Sequence, residues 1–269
     1  MHVKELERSR KASGLNMPVR NRYFYGKLLD AYHFRLETDY HNQKRWLINR
    51  FVLGYGVVCG LNVVPSEDKS AFCVTRGLAI DKWGREILVP ETSRPITLPK
   101  VSEGSPQGNG EQTPNQQEEQ KPEQEETWIH ILLCYHECET DPTPVLVGEC
   151  LSPEPCEPGA IRETYEIRWQ WGKIPSIGPT IDEASPDLVT KQGIDYRELV
   201  EYITWKRGCP DMADDPCIPL ANIRITDEDH CSEEDVDITV RPVCFTNDLL
   251  FHLILSHWYE PSGGKTGYK

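Results

Sequence analysis

The sequence lacks a hydrophobic run long enough to cross a membrane. Its longest apolar helix candidate, NDLLFHLILSHW near the C-terminus, is far shorter than the roughly 20 residues of a membrane-spanning helix. The opening stretch, MHVKELERSRKASG, has no apolar core of the kind that a secretory signal requires. We therefore expect a cytoplasmic protein with no transmembrane segment, although its ten cysteines are unusual for that compartment.

Enzyme motifs are missing as well. The sequence contains no nucleophile elbow, phosphate loop or dinucleotide fingerprint, and the short glycine patterns GYG and GVVCGL do not substitute for one. Carboxylates are abundant, but most lie in loops or in one low-complexity stretch, so no pair stands out as general acid and base. We expect a protein without enzymatic activity.

The cysteines include no close C-x-x-C pair, so they give only a weak indication of a zinc site. Free thiols, zinc ligands and disulfides all remain open for the cysteines in loops, and zinc is the one cofactor left to consider. We expect Cys59 and Cys73, within predicted strands, to be small buried apolar residues. The weak candidates for metal ligands are Cys138, Cys150, Cys156, Cys209 and Cys217.

One helical face offers a second arrangement that resembles a metal site. His33, Glu37 and His41 follow one another at intervals of four residues, which places them on the same side of a helix. Lys44 lies on that side too, and the spacing lacks the context of a metalloprotease helix. We therefore interpret the three residues as the polar flank of an apolar stripe.

Charge is distributed unevenly along the chain. Residues 1–50 hold eleven Lys and Arg against five Asp and Glu, whereas the remainder holds 18 against 38, for a net charge of −14. An acidic body excludes general nucleic-acid binding, which requires a basic face. A basic leading segment is suited instead to docking onto an acidic neighbour, including another copy of the same chain.

The pattern of elements predicts an α+β fold with antiparallel β-strands, a long N-terminal helix and a short C-terminal helix. We divide the chain into an extended arm (1–29), a helix and β-hairpin region (30–100), a disordered acidic insertion (101–127) and a second β-rich block with closing helices (128–269). The insertion contains a single aliphatic residue, Val101, and no aromatic one, so it cannot bury enough surface to offset its ordering entropy.

Several boundaries follow from local signals. Asp30 is the expected cap of a helix ending near Phe51, whose apolar stripe contains Leu29, Tyr32, Leu36, Tyr40 and Leu47. Residues 57–64 are predicted to form one buried strand, and residues 81–84 a hairpin turn in which Gly84 supplies a positive φ. Further strands are expected at 128–137, 161–171, 217–225 and 236–245, and helices from Tyr196 and, capped by Asn247, near the C-terminus.

Four segments occur in an order that resembles a known family. They are RYFYGKLLDAYHF, DYHNQKRWLINR, GYGVVCGLNV and GLAIDKWGREILVP, between Arg22 and Pro90. This first third of the chain is similar to baseplate-associated structural proteins of phage-tail-like contractile injection systems, and CYHECETDPTPVLVGEC with IRETYEIRW resembles a later strand block of that family. The resemblance implies a structural protein whose partners are other subunits of the particle, and which meets a membrane only through that particle.

Such a protein functions through contact surfaces rather than an active site. Tyr, Trp and Arg are favoured at the energetic centres of interfaces, and the run from residue 22 to 50 is rich in all three. Two other classes remain open, a zinc-stabilised adaptor for an effector or membrane partner and a tail-associated cell-wall hydrolase. The candidate interface residues are Arg22, Tyr23, Phe24, Tyr25, Phe34 and Trp46.

Overall fold

A computed structural model gives the fold, and it confirms the α+β class with antiparallel strands and helices near both ends. The structure describes residues 15–67, 70–99, 127–144, 156–177, 189–190, 193–207, 209–225 and 232–258. Within these ranges, no helix is long and apolar enough to span a membrane.

The helices lie outside a central set of strands. Helix α1 spans Ala31–Ile48 and continues into a π-helical turn, Asn49–Leu53. Helix α2 spans Tyr196–Glu201 and continues into a second π-helical turn, Tyr202–Arg207, and α3 spans Asn247–Trp258. The predicted helix start at Tyr196 is therefore confirmed, with the side chain of Asp195 accepting hydrogen bonds from the first helical turn.

Two three-stranded sheets come from the first part of the chain. One has the order β1-β4-β5 and the other β2-β3-β6, and all their neighbouring strands are antiparallel. The strands are β1 (Gly56–Gly60), β2 (Val63–Pro65), β3 (Ala71–Val74), β4 (Gly77–Ile80), β5 (Glu86–Val89) and β6 (Ile96–Thr97).

The second part of the chain forms a four-stranded antiparallel sheet of order β12-β11-β7-β8 and a small β9–β10 pair. The strands are β7 (Thr127–Pro144), β8 (Cys156–Trp171), β9 (Val189–Thr190), β10 (Gly193–Ile194), β11 (Ile218–Ile225) and β12 (Val236–Asp237). One hydrophobic core joins this sheet to the two smaller ones. It includes Phe72, Ile87, Ile131, Leu133 and Leu220, all of them fully buried.

The predicted single strand at residues 57–64 is wrong, because the chain bends after Gly60. Gly60 and Leu61 have φ values of 66° and 58°, in the left-handed region, and this bend directs β1 and β2 into different sheets. The buried Leu61 side chain stabilises the bend by packing into the core. The nearly continuous apolar run at residues 57–64 gives no sign in the sequence that the strand is interrupted.

Two predictions near the C-terminus also need correction. The strand expected at 236–245 is limited to Val236–Asp237, and the rest turns back until Val243 bridges to Val57 in a parallel manner. The cap of α3 is Thr246 rather than Asn247, since the Thr246 hydroxyl accepts a hydrogen bond of 3.3 Å from the backbone N–H of Leu249. Asn247 is the first residue of that helix.

The acidic insertion predicted at 101–127 lies outside the described residues, except for its last residue, Thr127, which begins β7. The strand predicted directly after it is confirmed and is longer than expected, since β7 extends for 18 residues. Cys59 was expected to be buried but is exposed, because it lies where β1 approaches the bend, and Cys73 is half-buried.

The predicted hairpin turn is confirmed, and it is packed more tightly than a surface turn. Strands β4 and β5 are antiparallel neighbours, and Gly84 between them has a φ of 89°. Asp81 organises the turn, because its side chain accepts hydrogen bonds from the backbone of Trp83 and Arg85 and binds the Arg85 guanidinium at 2.7 Å. A Cβ atom on Gly84 would lie 2.2 Å from the carbonyl oxygen of Trp46 in α1.

We predict that Gly84→Ala destabilises the protein by about 2 kcal/mol or more, since the added carbon meets both an unfavourable φ and a fixed backbone atom. Gly172→Ala is the matched control, because Gly172 has a φ of 101° and open space around its Cβ position. Urea denaturation of both variants measures the difference. Equal losses in the two variants would show that α1 does not press against the turn.

Candidate protein-protein interface

The root of helix α1 is fixed to the β4–β5 hairpin by a buried amide. The Asn49 side chain donates hydrogen bonds to the carbonyl oxygen of Gly84 at 2.8 Å and to Oε1 of Glu86 at 2.7 Å. Glu86 also pairs with the Arg45 guanidinium at 3.0 Å. These contacts hold the C-terminal end of α1 in one place on the body.

The rest of α1 contributes little to the core of this chain. No residue of Ala31–Ile48 is buried, although an amphipathic helix of a globular domain ordinarily buries its apolar stripe. Within the predicted stripe, Leu29 and Tyr32 are exposed, whereas Leu36, Tyr40 and Leu47 are half-buried. Helix α1 therefore leaves apolar surface that a partner could cover. Such a contact would also stabilise the helix, because short helices are only marginally stable without packing.

The segment before α1 leaves most of its large side chains in solvent. Residues 15–24 adopt no helix or strand, and a tight turn follows at Tyr25–Gly26, closed by a hydrogen bond from Lys27 N–H to the Phe24 carbonyl. Asn21 is the exception, since it is buried and accepts a hydrogen bond from the Lys27 ammonium.

The structure places five of the six predicted interface residues on the surface. Arg22 is exposed, Tyr23, Phe24 and Phe34 are each more than half exposed, and Tyr25 is fully exposed. Trp46 differs, because it is half-buried beside the hairpin at the root of α1. Its buried indole N–H has no hydrogen-bond acceptor among the described residues. Trp46 therefore belongs to the helix–hairpin junction, whereas the other five line the exposed segment and helix.

The polar residues on the flank of α1 contact neighbouring residues of the same helix and its cap. The Asp30 side chain accepts a hydrogen bond from the backbone N–H of His33, and the Asp30 backbone N–H donates in return to Nδ1 of His33 at 3.4 Å, which completes a reciprocal capping box. Nδ1 of His33 also lies 2.6 Å from the Asp30 carboxylate. His41 lies 3.5 Å from the carboxylate of Glu37. Since His33 turns towards the cap, the three residues at four-residue spacing do not converge on one point.

Two cysteines form a disulfide between neighbouring strands, Cys134 with Cys217. Ile218 is opposite Leu133 in the β11–β7 register, so the next pair of positions brings the two cysteines together. Cys217 was a weak candidate for a metal ligand, whereas in this structure its sulfur is bonded to that of Cys134. The sequence could not have predicted the pairing, because the register of strands 83 residues apart is not visible in it.

The remaining candidate thiols are apart from one another. Cys138, Cys156 and Cys209 are exposed free thiols, and Cys150 lies outside the described residues. Cys138 is opposite Arg162 whereas Cys156 is opposite Pro144, so six strand positions, about 20 Å, separate them along the sheet. Among the described residues, no group of three His, Cys, Asp or Glu side chains could hold a metal ion.

Further exposed apolar surface lies on elements that we did not assign to the interface from the sequence. Helix α3 leaves five large side chains in solvent, and Trp205, after α2, is largely exposed. An apolar helix sequence ordinarily indicates burial, so no sequence pattern predicted that these side chains of α3 are exposed. The exposed side chains of α3 are Leu250, Phe251, Leu253, Ile254 and Leu255.

The β7–β8 pair extends beyond the four-stranded sheet as a two-stranded ribbon. Strand β11 pairs with β7 only over Thr127–Leu133, whereas the β7–β8 pairing continues to Pro144 opposite Cys156. At about 3.3 Å per residue, the stretch from Cys134 to Pro144 projects roughly 35 Å past the last β11 pair. The described part of the ribbon is mostly polar and exposed.

Comparisons with protein-family models and with curated proteins find no match to this chain.

We predict that the Asp30 cap is lost at low pH. The backbone hydrogen bond from His33, followed by the side-chain hydrogen bond from the same residue, lowers the pKa of Asp30 below its ordinary value of 3.8. The cap is therefore complete above pH 3.8 and disappears as the pH falls through the lowered pKa. Circular dichroism should show reduced helicity in Asp30→Ala at neutral pH.

Asp30→Asn is the control for this experiment, because asparagine also caps helices but does not titrate. Its helical signal should equal that of the wild type at neutral pH and should lack the acid-dependent change. An identical acid transition in the wild type and in Asp30→Asn would show that another group controls the helix.

We predict that Cys134→Ala with Cys217→Ala lowers the free energy of unfolding by about 2–5 kcal/mol, since the disulfide closes a long loop in the unfolded chain. The measurement is urea denaturation under non-reducing conditions. Cys138→Ala, which removes an exposed thiol, should leave the denaturation midpoint unchanged. A double variant as stable as the wild type would contradict the disulfide.

Proposed function

We propose that the chain is a structural subunit of a phage-tail-like contractile injection system, located at or near the baseplate. It assembles in the cytoplasm, works through protein-protein contacts without catalysis, and meets membranes only through the particle. The observation that carries this proposal is a run of exposed aromatic residues, from Tyr23 to Phe34, joined to a helix whose root is fixed. The resemblance of residues 22–90 to baseplate-associated proteins supports the choice of particle.

Large aromatic groups in water carry a free-energy cost that a covering partner removes. Isolated surface apolar residues are common, but a contiguous exposed patch on a domain ordinarily marks an interaction site. Tyr23, Phe24 and Tyr25 are consecutive, and Arg22 precedes them. Large aromatic groups beside an arginine are the composition found at interface centres. A fixed helix root further reduces the entropy lost when such a surface binds its partner.

We predict that Arg22→Ala with Tyr25→Ala leaves the isolated fold intact and reduces incorporation into particles. Both residues are exposed, and surface substitutions change stability by less than about 0.5 kcal/mol. Loss of one interface anchor costs about 2 kcal/mol, equivalent to roughly thirtyfold weaker binding. The measurement is an immunoblot of particles purified from cells that carry the variant, with circular dichroism of the isolated subunit.

Arg94→Ala with Tyr196→Ala is the matched control, because it removes the same residue types from exposed positions elsewhere on the body. This control should be incorporated like the wild type. Normal incorporation of Arg22→Ala with Tyr25→Ala would defeat the assignment of this surface. Loss of the isolated fold in that variant would place the two residues in the core instead.

A further inference from the structure

The first observation is that strand β8 lies at the edge of its sheet. It is paired on one side with β7, and no other strand of the described residues is hydrogen-bonded to its outer side. Its register with β7 is uninterrupted from Ala160 to Trp171, so no bulge bends the strand there. That stretch also contains neither proline nor lysine, two residues with which proteins commonly protect an exposed edge. The edge therefore has the regular backbone that an added strand requires.

The second observation identifies the backbone groups on that edge. The N–H of Gly172 donates to the carbonyl oxygen of Trp128 at 2.7 Å, at the position that continues the β7–β8 register. Because the hydrogen-bonding groups of successive strand residues point to opposite sides, the even-numbered residues of β8 face β7 and the odd-numbered residues face outward. Pro158 is even-numbered, so its missing N–H does not interrupt the outer edge. The outward groups include those of Ile161, Glu163, Tyr165 and Ile167.

The third observation is the order of charges on the face of β8 that points away from the core. Tyr165 and Ile167 pack against the core, so the even-numbered side chains lie on the opposite face. Arg162 is exposed, and the Glu166 side chain is 45% exposed. Thr164 lies midway between them. The strand therefore has a positive charge two positions before Thr164 and a negative charge two positions after it.

We propose that two copies of the chain pair through the outer edges of their β8 strands, antiparallel and about a two-fold axis at Thr164. In this register Arg162 of each copy lies opposite Glu166 of the other, at non-hydrogen-bonded positions where opposed side chains are closest. The outward backbone groups of Ile161 then meet those of Ile167 in the other copy. The same surface is used by both copies, so the contact closes as a dimer.

Apolar groups fit the same register. Ile161 is 65% exposed and lies opposite the half-buried Ile167 of the other copy, so pairing removes apolar surface of both from water. Trp169, which is 36% exposed, lies opposite Gly159 of the other copy. Because glycine has no side chain, the indole ring can cover the backbone at that position.

Neighbouring registers are less favourable electrostatically. One with its axis at Tyr165 would place Arg162 opposite Arg168 of the other copy. One with its axis at Glu163 or Glu166 would place two carboxylates directly opposite each other. Like charges at opposed positions destabilise a strand pair. The charges of β8 therefore favour the proposed register over these.

An axis at Ile167 would also oppose unlike charges, Glu166 with Arg168, but it moves the contact onto the body. Ile167 packs against the core and lies opposite Leu133, the last β7 residue in the β11–β7 register. The axis at Thr164 lies instead on the ribbon, beyond the four-stranded part of the sheet. The two bodies are then at opposite ends of the paired strands.

Two single charge reversals of the full-length chain test the register. Arg162→Glu places carboxylates opposite each other on both sides of the axis, and Glu166→Arg does the same with guanidinium groups. Sedimentation equilibrium at low salt should show a wild-type dimer, and each variant alone should dimerise at least about tenfold more weakly. An equimolar mixture of the two restores opposite charges at both places, so it should form a 1:1 heterodimer about as stable as the wild-type dimer.

A cysteine at the two-fold axis tests the strand pairing with the wild-type charges in place. Directly opposite residues of a non-hydrogen-bonded pair have Cα atoms about 4.5 Å apart, which a disulfide can span. Oxidation of Thr164→Cys by copper phenanthroline should therefore give a covalent dimer. Arg168→Cys is the matched control, because its new thiol lies opposite Ala160 of the other copy. It should give no more covalent dimer than the wild type, whose own exposed thiols set the background.

A wild type that stays monomeric at about 100 μM, undiminished dimerisation of either charge variant, no heterodimer in the mixture, or equal cross-linking at positions 164 and 168 would each overturn the proposal. The β8 edge shares no residue with the surface from Arg22 to Phe34, so the inference goes beyond the proposed function and does not depend on it. Arg22→Ala with Tyr25→Ala should accordingly dimerise like the wild type.

Discussion

The position of the candidate interface depends on the buried side-chain amide of Asn49. Asn49 is 7% exposed, and its N–H groups have a carbonyl oxygen and a carboxylate as acceptors. A buried polar group with its partners in place tolerates little displacement, because each lost hydrogen bond leaves an unsatisfied group. Helix α1 buries none of its own residues in the core. The Asn49 contact at its C-terminal end, rather than a packed face, therefore fixes the position of the helix on the body.

The hairpin that receives Asn49 is also joined to the second half of the chain. The Trp83 indole N–H donates to the carbonyl of Ala213 at 2.7 Å, and the Lys82 N–H donates to that of Pro216. The Arg85 guanidinium lies between the rings of Trp83 and Tyr135, 4.7 and 4.5 Å from their centroids. One five-residue turn therefore connects α1, the loop before β11 and the root of the ribbon, and their relative positions follow from a single rigid element.

The features that were predictable from the sequence are those whose cause is local. The Asp30 cap and the positive φ of Gly84 depend on residues within a few positions, and both were predicted correctly. The break at Gly60 and Leu61 was not predictable, since it depends on a core that forms from both halves of the chain. The Cys134–Cys217 pairing and the length of the ribbon depend on strand register over many residues for the same reason.

The candidate interface could be predicted only in part, because a pattern specifies that a face is apolar and not what covers it. Tyr23, Phe24 and Tyr25 were assigned to the surface from composition, whereas α3 looks in sequence like a buried helix and is exposed. The described core residues run from Val57 to Ile225, and none of them lies in residues 15–30, in α1 or in residues 247–255 of α3. Under the proposed function, folding and binding rest on different residues. That proposal predicts that a substitution in the exposed elements weakens assembly without unfolding the body, so the two properties are separable by experiment.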